Sequence, residues 1–144
     1  MGRVVNINNP TSVRNSQMRT AAELLRHLSQ KSELDEEAKD MAAQLTLCLR
    51  AIDEGIESSA AAWEKRDYWI KAEQLRQRWT WASSYAARLE KLIRQGEWDT
   101  LPPLLVELFP RFADIKVTRL TREADAWQGA YKRLLSEQES TTPD

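Results

Sequence analysis

Between about Asp67 and Gln95 the inward-type residues Tyr68, Ala72, Leu75, Trp79, Ala82, Ala86, Leu89 and Ile93 recur at strictly alternating spacings of four and three. A strand turns alternate residues to opposite faces and cannot carry this pattern. A helix gathers it into one narrow seam, of the kind other helices cover at shallow crossing angles. The i,i+4 pairs Asp67–Lys71 and Glu90–Arg94 favour the same helix, and Gly96 stands where a left-handed C-cap belongs.

The rest of the chain reads as further helices. Met18, Ala21, Leu25 and Leu28 predict a helix from Thr11 or Ser12 to about Gln30. Ser32 followed by Asp35, with Glu36 and Glu37, reads as a helix start. The helix it opens carries Ala38, Met41, Leu45, Cys48 and Ile52 and can run past Gly55 to about Lys65, with an expected Asp35–Lys39 pair. Asp99 or Thr100 caps a short helix whose face is Leu101, Leu105, Leu108 and Phe112, with Pro102 at its start and Pro110 kinking or splitting it. Ala124, Trp127, Tyr131 and Leu134 place a last helix over about 121–136. The reading is therefore all-α: a compact antiparallel bundle of four to five helices around a long central helix at about 67–95. It has an irregular basic arm (1–11), one bundle domain (12–137) and a frayed tail (138–144).

A chain of 144 residues suits one domain. Lys and Arg total 21 against 22 Asp and Glu, so global charge selects no partner class. Charge is segregated along the chain instead. Residues 32–62 carry two basic and eight acidic side chains, and residues 63–96 carry eight basic and four acidic. Such alternation helps fix which helices pair. One cysteine, no apolar leader and no apolar run of membrane length lead to the expectation of a cytoplasmic protein without a membrane partner.

Motifs for chemistry are few. The one histidine, His27, has Glu23 a turn earlier, which reads as a helix-surface pair. It lacks the second ligand set that a zinc or di-iron site needs, so no metal and no cofactor is expected. Cys48 lies on an apolar stripe and reads as a small buried hydrophobe. No catalytic signature or phosphate loop is found, so an enzyme on a helical scaffold ranks last and no catalytic residue is assigned.

Six tryptophans are an excess for this length. Trp79 lies on the seam, and at about 100° per residue Trp81 falls well off it. The stripe through Trp81 is Lys71, Gln74, Arg78, Trp81, Tyr85 and Arg88, a basic-aromatic ridge; Trp69 and Arg76 lie on the seam's other flank. Three readings stay open. The arginines stack on the rings within the helix, or the ridge faces an acidic neighbouring helix, or it is an exposed patch for a partner. The segment Ala62–Lys71 (AWEKRDYWIK) reads either as a corner pinned by Trp63 and Trp69 or as a recognition patch. With Arg14-Asn15 and the Gln74–Trp79 stretch, it resembles a group of small uncharacterised all-helical bacterial proteins, a resemblance that implies the fold and no activity.

The leading expectation is a non-catalytic binding or scaffold protein using Lys71, Arg78, Trp81, Tyr85, Arg88, Trp69 and Arg76 on a protein partner or on itself. The alternative is a nucleic-acid-associated protein using Arg3, Arg14, Arg19 and Arg26 together with the ridge.

Overall fold

The computed structural model describes residues 9–141, with side chains through 137; Arg3, most of the arm and residues 142–144 lie outside what it describes, while 138–141, expected in a frayed tail, are the last turn of a helix. Five α-helices follow in order: α1 (Pro10–Ser29), α2 (Glu36–Lys65), α3 (Trp69–Gln95), α4 (Leu101–Leu108) and α5 (Ala130–Thr141). Short 3₁₀ turns at 98–100, 109–112 and 124–126 join the later ones. The chain is an all-α bundle.

The boundaries have local causes. Asn9 caps α1, its side chain accepting from Ser12 N, with Pro10 at the first position. Asp35 itself caps α2 by accepting from Ala38 N at 2.8 Å, so Ser32 is not the cap. Asp35 pairs with Lys31 (2.9 Å), not with the expected Lys39, which lies over the rings of Trp98 and Tyr131. Glu90–Arg94 forms as expected. The α3 helix ends on Gly96 at φ 69°, and Glu97 N reaches back to Leu92 O at 2.8 Å.

The predicted α5 starts too early. Of its expected first half, 121–129, only 124–126 form a 3₁₀ turn, and the helix begins only after Gly129, whose φ of 83° breaks the run. The apolar spacing survives the break, and Trp127 and Leu134 are both buried. Asp40 of α2 then accepts from Gly129 N and Tyr131 N, each at 3.0 Å, and so caps α5 from a different helix.

The helix that most others cover is α2, not α3. It packs on α3, α1 and α5, and its buried stripe runs from Ala38 to Ala60. Cross-helix pairs give the directions. Glu64–Arg76 and Arg50–Glu90 move oppositely along α2 and α3, so these helices are antiparallel. Asp40–Tyr131 and Arg50–Glu137 advance together, so α5 runs parallel to α2, contrary to the all-antiparallel expectation. The connector 109–129 makes this possible by carrying the chain back to the start of α2.

Glu23 fixes that connector. Its side chain is fully inaccessible, so it is not a surface partner of His27. It accepts from Arg19 Nε (2.6 Å), Thr121 N (2.6 Å), Arg122 N (2.9 Å) and the Thr121 hydroxyl. Burial alone would raise its pKa; the hydrogen bonds outweigh it and hold the carboxyl at about 2.

A candidate contact surface at the tip of the central hairpin

Three residues, 66–68, link α2 to α3. Asp67 N donates to Glu64 O (3.0 Å) and Tyr68 N to Trp63 O (2.9 Å), the paired bonds of a Schellman ending. Asp67 takes the left-handed position at φ 65°, a place usually given to glycine and best tolerated otherwise by Asn or Asp. The link is thus a hydrogen-bonded turn that sets the residues after it in fixed places.

Those residues face outward. Tyr68 is 44% exposed, Trp69 60% and Ile70 75%. Tyr68 heads the sequence seam yet lies outside the helix, at the N-cap position of α3, which explains its exposure. Trp63 is half-buried against the core, whereas Trp69 pins nothing. Arg66 and Lys71 bracket the Tyr68 ring at 5.1 and 5.6 Å. Beside them lies a shallow recess of about 240 Å³ lined by Trp63, Lys71, Gln74, Leu75 and Arg78. Lys71 and Arg78 are exposed.

The rest of the ridge turns to its own chain. Trp81 stacks on Trp79 with centroids 5.7 Å apart and meets Phe112 edge-on at 5.7 Å. Arg111 covers the Trp81 ring at 5.6 Å. Arg88 grips Glu107 of α4 with two bonds of 2.9 and 3.0 Å, and the Tyr85 hydroxyl meets the same carboxylate at 3.2 Å. Arg76 is held by Glu64 (2.5 Å) and Glu57 (3.1 Å) of α2, the Glu64 bond being the larger cause of its raised pKa. Thus Trp81, Tyr85, Arg88 and Arg76, expected at an open patch, make intramolecular contacts, while Trp69, Lys71 and Arg78 stand free of the core. The sequence pattern could not make this division, because α4 and the turn after it are what cover the ridge.

Of the arginines in the nucleic-acid alternative, Arg14 lies over the Trp79 ring at 5.2 Å and Arg19 is bound to Glu23 and to Lys116 O. Burial and the neighbouring Arg78 lower the pKa of Arg14. Arg26 is exposed. Cys48 is buried, and burial pushes its thiol up to about 11. Among the described residues no three His, Cys, Asp or Glu side chains gather as a metal site, and no helix is long and apolar enough to cross a membrane.

A second surface lies at the other end of α2. A groove of about 360 Å³ opens between the α1–α2 loop and α4, with Leu28, Ala38, Leu101 and Leu105 at its base. Leu34 (41% exposed), Val106 (68%) and Phe109 (42%) stand along it. Sequence reading did not single it out. Its walls come from segments more than sixty positions apart, and each separately reads as the inner face of a helix or a loop.

No family model, no curated protein and no solved structure matches the chain.

Proposed function

We propose that the protein is a non-catalytic binding protein whose contact surface is the α2–α3 tip, with Trp69 and Ile70 as apolar anchors and Lys65, Arg66, Lys71 and Arg78 as the basic rim. The observation that carries this reading is the adjacent exposure of Trp69 and Ile70 at 60% and 75% on a hydrogen-bonded turn. A large aromatic has few side-chain torsions to fix when it is covered, and such residues are enriched among those that dominate binding energy at interfaces. The basic rim favours a partner with an apolar socket edged by carboxylates. The nucleic-acid reading draws less support, since two of its arginines are engaged within the chain.

The test is affinity capture from the native cell with wild-type protein, the Trp69→Ala/Ile70→Ala variant and a Trp81→Ala control. The tip variant is expected to lose the captured partner and the control to keep it. Equal capture by tip variant and wild type discards the reading, and salt-sensitive retention of nucleic acid by both would replace it.

A further inference from the structure

We propose that the tip of one molecule docks into the groove of a second copy, so that the chain self-associates head to tail. This rests on the tip being a contact surface, as above, and names what covers it.

Eight large apolar residues are exposed among those described. Three of them, Tyr68, Trp69 and Ile70, form the tip; three more, Leu34, Val106 and Phe109, edge the groove. The remaining two, Val13 and Leu120, stand apart in sequence from both sets. The two surfaces are opposite in charge. Residues 65–71 carry Lys65, Arg66 and Lys71 against Asp67 alone. Glu33 and Lys31 are the charged residues lining the groove. The adjoining stretches 34–37 and 97–99 add five carboxylates, against Lys39 over the Trp98 ring, while Glu107 is held by Arg88 of α3. Lys31 is already bound to Asp35 and Glu37 at 2.9 and 2.8 Å. Tip against tip would set cations together, and groove against groove would set carboxylates together. Tip against groove pairs opposite charges around a shared apolar centre. The groove volume of about 360 Å³ lies in the range of roughly 300–1,000 Å³ typical of clefts that enclose a ligand-sized group.

Position excludes an intramolecular solution. The groove uses Ala38 in the first turn of α2, and the tip follows its last residue, Lys65. Over 30 residues the two ends stand about 45 Å apart. Each contact therefore leaves one tip and one groove unfilled, a heterologous arrangement that grows into an open chain or closes as a ring.

The experiment is sedimentation velocity on the full chain from micromolar to sub-millimolar concentration, with far-UV circular dichroism to confirm folding of each variant. Wild type is expected to show mass rising with concentration. The tip variant Trp69→Ala/Ile70→Ala and the groove variant Glu33→Lys/Val106→Arg alter exposed residues only, and each is expected to stay folded and to weaken association roughly tenfold or more. An equimolar mixture of the two retains one intact tip and one intact groove, and is expected to stop at a one-to-one dimer. A chain carrying both charge reversals, Lys65→Glu/Arg66→Glu and Glu33→Lys/Glu36→Lys, is expected to recover the self-association that either reversal alone weakens. A wild-type chain monomeric throughout overturns the inference, as does an oligomer indifferent to both variants or a mixture that forms no dimer. If wild type is monomeric while the tip variant still loses a captured cellular partner, the self-association falls and the binding role of the tip stands.

Discussion

Glu23 is the carboxylate on which the fold leans most heavily. Its side chain is fully inaccessible, and four donors reach it from α1 and from the connector. Its pKa of about 2 lies below that of an unfolded glutamate, so its contribution is complete above about pH 4.5 and is lost as pH falls towards 2. Glu23→Gln is expected to cost on the order of 2–3 kcal/mol at pH 7 in urea unfolding, and the gap to wild type should close in acid. A constant gap from pH 7 to pH 2 would show that the charge is not what binds the connector. Cys48 behaves in the opposite sense. Its raised pKa means that folding opposes the thiolate up to about pH 11. Native protein at pH 8 should resist an alkylating reagent that labels the urea-unfolded chain rapidly. Equal labelling of the two would contradict its burial.

Two element ends are held by features a linear reading undervalues. The α5 N-terminus is capped by Asp40, about ninety positions earlier in the chain. Asp40→Ala is expected to cost about 1–2 kcal/mol and to speed amide exchange in the first turn of α5, leaving α3 unaffected. Uniform exchange behaviour across both helices would mean the cap is not local. At the end of α2 the left-handed Asp67 occupies a glycine's place. Asp67→Gly is expected to preserve the turn and raise thermal stability by up to about 1 kcal/mol, whereas Asp67→Val should lower it. The Gly96 ending and the seam of α3 from Ala72 to Ile93 were legible, and the starts of α1 and α2 nearly so, read at Thr11 or Ser12 instead of Pro10 and from a Ser32 box instead of the Asp35 cap, because caps and 3.6-residue periodicity are local signals. The start of α5 was not, because Ala124, Trp127, Tyr131 and Leu134 keep helical spacing across a backbone break at Gly129.

At the scale of the whole molecule, tryptophans of one helix take separate roles according to what lies opposite them. Trp81 packs on Trp79 and Phe112, and Trp81→Ala should lower stability by about 2–4 kcal/mol. Trp69 meets solvent, and Trp69→Ala should change stability by less than about 0.5 kcal/mol. Equal losses in the two variants would place Trp69 in the core and remove the tip as a contact surface. The sequence by itself determined the helices, their apolar stripes and the presence of more aromatic and basic surface on α3 than one seam can bury. Periodicity and capping depend only on neighbours a few positions away. Which part of that ridge stays open, that α2 is the helix the others cover, that α5 runs parallel to it and that an apolar groove forms at its far end were decided by tertiary structure. Each of these depends on which distant segment comes to rest against a given face, and that follows from the summed fit of all the faces together.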